Sequence, residues 1–399
     1  MNDKERERMN RMRMEEEEEY EAFREEQDHA RGRAVREEAS YGYNSGNGRG
    51  AAPRQRRPRR KSPLGKILLA VLIVVILAGL GGYAFVRSKL SGMKSEELDP
   101  SITESISDTA QNDSFMAGYT NIALFGVDSR EQDLMDGDNR SDTIIIASIN
   151  KETNEVRLVS VFRDTYLDVG DGTYAKCNAA YAYGGPQQAV AMLNTNLDLN
   201  ITDFVTIGFE GLADTIDAVG GIELDLTEEE VGYMNSYMED MNYELGTPYE
   251  PVESAGVQTV SGIQATAYCR IRYTEGDDFR RAERQRTVLS KTLEKIKGAS
   301  PATLMKIAES IMDETATSLS STELLGLMTK AGSFEITEQT GFPADEQWVY
   351  GTINGQSCVV PYTLESNVIW LHGLLFGDEN YQPSDAVLER SETIDSTPR

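Results

Sequence analysis

Histidine and cysteine are both scarce in this chain of 399 residues, which has two histidines and three cysteines. The cysteines, Cys177, Cys269 and Cys358, stand at wide and irregular spacings that make neither a disulfide framework nor a zinc site. Because His29 precedes the foldable sequence, a nucleophile that needs a histidine base would have to use His372. His372 lies in an apolar stretch, so we expect it to be packed rather than catalytic.

Positive charge is scarce beyond the N-terminal quarter of the chain. The net charge of the chain is −27. Residues 1–94 contain about 20 of the 39 Lys and Arg residues and are basic on balance, so the remainder of the chain carries a net charge of about −33. Such an excess of negative charge repels nucleic acid, since Lys and Arg dominate non-specific binding to phosphates. We therefore expect no nucleic-acid partner.

One apolar run, residues 64–86, is long enough to cross a hydrocarbon core. A dense basic block precedes it, at positions 54–61, and only a few cations follow it. The positive-inside rule then predicts a single transmembrane helix with a cytoplasmic N-terminus and an extracytoplasmic main domain. A buried soluble helix and a cleaved signal peptide fit the length and the flanking sequence less well.

Composition divides the rest of the chain. Residues 1–63 are low in complexity and predict a disordered cytoplasmic tail with both basic and acidic runs. Residues 87–114 predict a linker, residues 115–378 a folded extracytoplasmic domain, and residues 379–399 a disordered tail. Apolar strands that alternate with helices in the folded part predict an α/β or layered α-β-α domain.

Hydrophobic periodicity gives the following elements of that domain. The predicted strands cover residues 121–127, 143–149, 156–161, 222–226, 265–273 and 358–360. One predicted helix follows Gly185-Pro186 and runs to about residue 197. The other predicted helices cover about 210–218, 280–297, 302–330 and 366–376.

The few arginines of the acidic domain gather in four short windows. These windows are Asp128-Ser129-Arg130, Arg140-Ser141-Asp142, Arg163-Asp164 and the segment 270–286 with Arg270, Arg272, Arg280, Arg281, Arg284 and Arg286. Strand alternation places Arg270 and Arg272 on one face, and helical spacing does the same for Arg281 and Gln285. Guanidinium groups match phosphate oxygens, so the cluster indicates a polyanionic ligand. The alternative is a set of surface ion pairs with the many acids.

Three carboxylates stand inside the first three windows. Asp128 and Asp142 lie beside arginines at the ends of apolar strands, and as hard oxygen ligands they suit Mg²⁺ bridged to substrate phosphates. The alternative for each is a turn or capping residue. Asp164 is a candidate general base, or else the partner of a neighbouring arginine in an ion pair.

At these windows the chain resembles the LytR-CpsA-Psr family of cell-wall glycopolymer transferases, over roughly residues 115–375. The matching stretches are NIALFGVDSR (121–130), RSDTIII (140–146), SVFRDTY (160–166), AKCNAAYAYGGPQQAV (175–190), DFVTIGFEGLADTIDAVGGIELDL (203–226) and ATAYCRIRYTEGDDFRRAERQRTVL (265–289). The resemblance implies an α-β-α sandwich with a central mixed sheet, preceded by one transmembrane helix, and a tunnel for a polyprenyl chain.

The resemblance also implies residue roles. Asp128 and Asp142 correspond to metal-binding acids, with Mg²⁺ as the cofactor. The positions that match pyrophosphate-binding residues are Arg163, Arg270, Arg272, Arg281 and Gln285, with Arg130 and Arg140 in motifs close by. Two positions depart from the family pattern: Phe162 stands where Pro is common, and Arg280 where Gly is common.

The reaction implied is phosphotransfer from a polyprenyl-pyrophosphate-linked glycopolymer to peptidoglycan at the cell membrane of a Gram-positive bacterium. A peptidoglycan hydroxyl attacks the sugar-proximal phosphorus, and polyprenyl phosphate leaves. The sequence does not distinguish teichoic acid, capsule or another wall polymer. Two alternatives stay open: a non-catalytic regulator that binds the same lipid, and a pyrophosphatase that hydrolyses it.

Overall fold

The computed structural model describes only part of the chain. The described residues are 94–95, 98–127, 140–245, 248–272, 277–300, 303–304, 306–307 and 314–398. All of them fall in the compact unit Ala70–Arg399. The predicted cytoplasmic tail and transmembrane segment lie outside the described residues, as do Asp128 and Arg130. Within the described ranges, no helix has the length and apolar character needed to cross a membrane.

A mixed sheet of seven strands forms the centre of the described unit. Its strands are β1 (Lys94–Ser95), β2 (Tyr119–Val127), β3 (Ser141–Asn150), β4 (Glu155–Val161), β7 (Asp203–Gly208), β10 (Thr315–Thr317) and β11 (Glu335–Phe342). Their order across the sheet is β1-β10-β7-β2-β3-β4-β11. Strand β3 pairs antiparallel with both β2 and β4, whereas β2 pairs parallel with β7 and β4 with β11. The predicted mixed sheet is therefore confirmed.

Among the described residues, three two-stranded antiparallel sheets lie outside this sheet. They are β5 (Tyr166–Asp168) with β6 (Tyr174–Lys176), β8 (Ile222–Leu226) with β9 (Gly256–Val260), and β12 (Trp348–Ile353) with β13 (Gln356–Pro361). The α-helices are α1 (Ser101–Glu104), α2 (Asp108–Gln111), α3 (Ala179–Leu197), α4 (Phe209–Ala218), α5 (Glu228–Leu245), α6 (Gly262–Arg270), α7 (Asp277–Lys297), α8 (Ser321–Lys330), α9 (Leu364–Phe376) and α10 (Asp385–Ser396).

Both faces of the sheet are covered, as alternation along β3 shows. Ile144 and Ile146 point into the main core, which also contains buried residues of α3, α9 and α10. Ile145 and Ala147 point into a second core on the opposite face, where Leu289 of α7 packs. Helices on both faces make the three-layered α-β-α arrangement that the sequence predicts.

The predicted strand over residues 265–273 is wrong, because residues 262–270 form helix α6. A capping box starts this helix: the Gln264 amide donates to the Ser261 side chain, and the Gln264 side chain accepts from the Ser261 amide. Ala265 and Ala267 then favour the helix. The strand-face argument that placed Arg270 and Arg272 side by side consequently fails.

The predicted helical segment 302–330 is wrong in its middle. Residues 315–317 form strand β10, which pairs antiparallel with β7 inside the central sheet. The β-branched residues Thr315 and Thr317 suit this buried strand. A helix returns only at residues 321–330.

Residues 87–114 are not simply a linker. The short helices α1 and α2 fall in this range, and Ile102, Ile106 and Ala110 are buried in the main core. The four-residue spacing of these side chains places them on one side of the segment. The folded domain therefore begins before residue 115.

The predicted disordered tail, residues 379–399, contains helix α10. Val387 and Ile394 of this helix are fully buried in the main core. The helix start is fixed to α3, because the amide and hydroxyl of Ser384 both donate to the carboxylate of Asp198. Two apolar side chains seven positions apart were enough to dock a segment that is otherwise polar.

Candidate functional site

Three arginines from three separate elements converge on one carboxylate. Asp142 is the second residue of β3, in a strand rather than in the predicted loop. Its Oδ1 accepts from Arg163 at 2.9 Å, and its Oδ2 accepts from Arg272 at 3.0 Å and from Arg281 at 2.9 Å. Arg163 follows the neighbouring strand β4, Arg272 follows α6, and Arg281 lies in the first turns of α7. The structure thus joins residues that the sequence predicted to share a site.

The backbone at Arg163 is held by main-chain and thiol hydrogen bonds. The Phe162 amide donates to the carbonyl of Phe342 at the end of β11, and the Asn178 amide donates to the carbonyl of Arg163. The buried Cys177 thiol donates to the carbonyls of Phe162 and Arg163 at 3.2 and 3.3 Å. Cys177 therefore positions the arginine turn, a role that its sequence spacing did not reveal.

The electrostatics of the cluster favour an ionised Asp142. Burial by itself would raise the pKa of this carboxyl, but the charges and hydrogen bonds of Arg281 and Arg163 outweigh it and lower the pKa to about 2. Arg281 is only 3 % exposed, and burial lowers its pKa against the opposing effect of Asp142. Three guanidinium groups around one carboxylate leave an excess of positive charge, which suits an anionic ligand.

A small pocket opens beside these groups. Its volume is about 10 Å³, and its lining includes Asp142, Phe162, Arg163, Arg281 and Gln285. We call it the arginine pocket. Gln285 lies one helical turn after Arg281, so the predicted pairing of these two residues on α7 is confirmed.

A larger cleft of about 410 Å³ lies on the other side of Asp142 and Arg281. It is lined by these two residues and by Tyr233, Ser236, Tyr237, Asp240, Arg270 and Arg272. We call it the tyrosine cleft. The guanidinium of Arg270 lies over the rings of Phe209 and Tyr237, at 5.2 and 5.8 Å from their centroids. Arg270 thus lines the cleft with its guanidinium packed over two aromatic rings. It does not lie beside Arg272 on a strand.

Other predicted site residues are placed differently. Asp164 forms an ion pair at 2.9 Å with Lys176 of β6. Arg140 is exposed and immediately precedes β3. Asp128 and Arg130 lie outside the described residues.

His372 and Cys269 are structural, as expected. His372 is fully buried in α9, where its Nε2 lies 3.0 Å from the carbonyl oxygen of Leu197 and its ring stacks on Tyr381. Burial lowers the pKa of His372. Cys269 packs in a core that contains residues of α6 and of strands β8 and β9. Burial raises the pKa of its thiol to about 12. All three cysteines are buried and free.

The hydrogen bonds that Asp142 accepts from the arginines leave it able to act as one ligand of Mg²⁺. Among the residues that the structure describes, no group of three His, Cys, Asp or Glu side chains could hold a metal ion. Mg²⁺ is commonly bound by one or two carboxylates together with substrate phosphates and water, so it does not need such a group. Asp142 is ionised, and a carboxylate has about four lone-pair positions, of which the three arginines use three.

Comparison with known proteins gives consistent results. The model of the LytR_cpsA_psr family matches residues 83–365. The polyisoprenyl-teichoic acid–peptidoglycan teichoic acid transferase TagU of Bacillus subtilis (strain 168) is 32 % identical over 262 residues, which are 64 % of this chain and 76 % of the relative. The protein of the same name from Enterococcus faecalis is 30 % identical over 64 % of this chain and 78 % of its own length.

Solved structures share the fold. Protein gbs0355 from Streptococcus agalactiae superposes with a TM-score of 0.56 at 25 % identity, covering 73 % of this chain and 93 % of that protein. TagT bound to LI-WTA superposes with a TM-score of 0.54 at 19 % identity, covering 69 % and 97 %. A second structure of TagT (YwtF) holds an octaprenyl pyrophosphate lipid and superposes with a TM-score of 0.50 at 18 % identity, covering 68 % and 97 %.

Proposed function

The chain belongs to the LytR-CpsA-Psr family, and we propose that it is a phosphotransferase that moves a glycopolymer from a polyprenyl-pyrophosphate carrier to peptidoglycan. The observation that carries the proposal is the convergence of Arg163, Arg272 and Arg281 on Asp142 within 3.0 Å, in a strongly acidic domain. Its relatives are named as transferases of teichoic acid to peptidoglycan, which supports the same reaction.

The arginines would act by binding and by electrostatic stabilisation. The acceptor hydroxyl oxygen forms a bond to the sugar-proximal phosphorus, and the bond from that phosphorus to the oxygen of polyprenyl phosphate breaks, with the electron pair leaving on that oxygen. Negative charge therefore grows on the leaving phosphate, which is the place where fixed guanidinium groups stabilise a transition state. The proton of the acceptor passes to water or to a side-chain base.

Asp142 has two roles in this proposal. Its carboxylate orients the guanidinium groups of Arg163, Arg272 and Arg281, and its remaining lone pair would hold Mg²⁺ together with Asp128, the second acid of the resemblance. Bound Mg²⁺ would neutralise charge on the pyrophosphate oxygens. Because the charge supplied by arginine and metal does most of the work, we expect little help from a general base.

We also propose that the domain acts outside the cell, anchored by the apolar segment 64–86 with its N-terminus in the cytoplasm. The basic block before that segment and the few Lys and Arg residues just after it support this orientation. A polyprenyl carrier is held by the bilayer, so an anchor on the same membrane keeps enzyme and donor together.

The test uses full-length protein in lipid nanodiscs, a synthetic polyprenyl-pyrophosphoryl sugar, peptidoglycan fragments and Mg²⁺. We expect release of polyprenyl phosphate and recovery of sugar phosphate on the acceptor. Arg163→Ala should lower the rate about 10²–10³-fold, as does the loss of one oxyanion donor in other enzymes. Arg390→Ala is the matched control, because Arg390 pairs with Asp168 at 3.0 Å and does not contact Asp142.

The same assay separates the alternatives. Release of polyprenyl phosphate without any acceptor product would identify a pyrophosphatase. Tight lipid binding without turnover, weakened but not otherwise changed by Arg163→Ala, would identify a regulator. Full activity in Arg163→Ala would refute the assignment of the arginine cluster.

A further inference from the structure

A third cleft lies beside the arginine pocket, at the edge of the central sheet. It measures about 670 Å³ and lies between helix α7 and strand β11, which is the edge strand next to β4. Its lining includes Phe162, Phe279, Arg280, Glu283, Arg286 and Asp345. We call it the aromatic cleft. Phe162 and Arg280, the two positions that depart from the family pattern, both line it.

Phe162 and Phe279 line this cleft and belong to an aromatic platform that continues beyond it onto the β12–β13 hairpin. Phe279 stacks on Trp348 with a centroid distance of 4.4 Å and an interplanar angle of 21°. Tyr350 meets Trp348 edge-on at 5.0 Å, and Phe162 meets Phe279 edge-on at 4.3 Å. Tyr350 is 59 % exposed. The platform therefore presents ring surface to solvent instead of burying it in a core.

Polar groups line the same cleft in balanced numbers. Arg280 and Arg286 face Glu283 and Asp345, so the four side chains have no net charge. Nη1 of Arg286 is buried and has no hydrogen-bond partner among the described residues. Ring surface combined with a few donors and acceptors is the composition that binds an amphipathic, uncharged ring.

The aromatic cleft is continuous with the candidate active site. It shares Phe162 with the arginine pocket, and the arginine pocket shares Asp142 and Arg281 with the tyrosine cleft. The arginine pocket therefore shares lining residues with both larger clefts, so a group bound in either cleft lies next to this pocket.

We propose that the aromatic cleft is a sugar-binding subsite for the glycan strand of the acceptor, with its rings stacked on Phe279, Trp348 and Tyr350. The proposal rests on the transferase function proposed above. A pyranose ring offers C–H groups to the negative face of an aromatic ring and hydroxyls to Arg286, Glu283 and Asp345. A phosphate-rich donor polymer fits this cleft less well, because the cleft has no net charge and belongs to an acidic domain.

Tryptophan fluorescence provides a direct test. The chain has two tryptophans, and the other one, Trp370, is partly buried against the main core in α9. In a full-length Trp370→Phe protein the emission therefore comes from Trp348. We expect a saturable change in emission on titration with chitotetraose, an uncharged analogue of the glycan backbone.

Substitution of the exposed platform residue gives the decisive comparison. Tyr350→Ala should weaken chitotetraose binding about tenfold and raise the acceptor KM by a similar factor, while Tyr350→Phe should retain affinity. Tyr243→Ala is the matched control, because Tyr243 is 91 % exposed on α5 and belongs to none of the ring contacts of the platform. It should change neither value.

Three outcomes would overturn the inference. One is an absent chitotetraose response, and another is a response that Tyr350→Ala leaves unchanged although transfer proceeds. The third is Tyr350-dependent binding of poly(glycerol phosphate) in place of chitotetraose, which would assign the cleft to the donor. In contrast, Tyr350-dependent chitotetraose binding without any transfer would refute the proposed reaction and leave the subsite standing.

Discussion

Replacing Asp142 by Asn tests how strongly the arginine cluster depends on one negative charge. The substitution keeps the shape of the side chain and removes the charge that faces Arg163, Arg272 and Arg281. Three guanidinium groups would then stand close together around a neutral amide. We expect the folded state to lose stability and the cluster to gain affinity for phosphate.

The size of the effect follows from the pKa of Asp142. That pKa falls from 3.8 to about 2 in the folded protein, and each pKa unit corresponds to about 1.4 kcal/mol, so the ionised carboxylate contributes about 2 kcal/mol at neutral pH. Its side chain is 15 % exposed, so solvent screens the interaction only in part. Asp142→Asn should lower the free energy of unfolding by about this amount.

The pH dependence has a definite sign. The folded-state pKa is depressed, so the folded state binds fewer protons than the unfolded state between the two pKa values. The contribution is fully present above about pH 4 and is lost as the pH falls towards about 2. The difference in stability between wild type and Asp142→Asn should therefore be constant from pH 8 to pH 5 and shrink below about pH 4.

Urea unfolding of the full-length protein, followed by tryptophan fluorescence with and without pyrophosphate, measures both effects. A ligand that binds the folded state stabilises it in proportion to ln(1 + [L]/Kd). Pyrophosphate should stabilise Asp142→Asn more than wild type, because in the variant the anion no longer competes with a carboxylate for the arginines. The matched control is Glu230→Gln, which breaks the half-buried ion pair with Arg284.

Glu230→Gln should also lose stability, but pyrophosphate should not preferentially restore it, since the ion pair of Glu230 is with Arg284 and not with the three arginines around Asp142. Equal restoration of both variants, or no response of Asp142→Asn to pyrophosphate, would refute the view that Arg163, Arg272 and Arg281 form a phosphate-binding cluster whose charge Asp142 balances.

Two further predictions concern single side chains. Burial lowers the pKa of His372, which faces Asp113, Asp198 and Asp378. As the pH falls, the imidazole is therefore protonated first in the unfolded state, and the free energy of unfolding should fall below about pH 6.5. His372→Gln should flatten the slope of unfolding free energy between pH 7.5 and pH 5, and an unchanged slope would contradict the assignment. Asp164→Asn should keep transfer activity within a few-fold of wild type, because the charge of the arginine cluster and not a general base carries most of the rate. A loss of several orders of magnitude in the transfer assay would contradict that view.

The central sheet was predictable because its strands are long and apolar. The predicted strand 121–127 lies within β2, 143–149 within β3, and 156–161 within β4. Strands buried on both faces read as continuous apolar runs, so local sequence is enough to find them. Strand β10, residues 315–317, was missed because three residues carry too little periodicity, and only pairing with β7 defines them.

The segment around Arg270 shows how two residues can lie near one site in a structure other than the predicted one. A strand would put Arg270 and Arg272 on one face, whereas the end of helix α6 separates them: Arg272 reaches Asp142, and Arg270 lies over Phe209 and Tyr237. The signal for the helix was local, in the capping box of Ser261 and Gln264. Apolar content alone does not distinguish a short helix from a strand, so the cap decides.

The aromatic cleft was not visible in the sequence. Phe162 follows β4, Phe279 lies in α7, and Trp348 and Tyr350 belong to β12, so only the tertiary fold joins them. Arginine windows were easier to find, because several cations in an acidic domain are unusual wherever they stand. Aromatic residues in a folded domain are common, and their sequence positions give no sign that they share a surface.

Asp142 connects the two roles that sequence and structure assign to it. The sequence predicts a metal ligand, and the structure shows the counter-ion of Arg163, Arg272 and Arg281. Both roles require the ionised carboxylate, and the same arginines that share its oxygens lower its pKa to about 2 and so keep it ionised. The arginines thus maintain the charge state that a metal ligand needs, while their own positive charge opposes a cation, so Mg²⁺ binding by Asp142 stays a prediction.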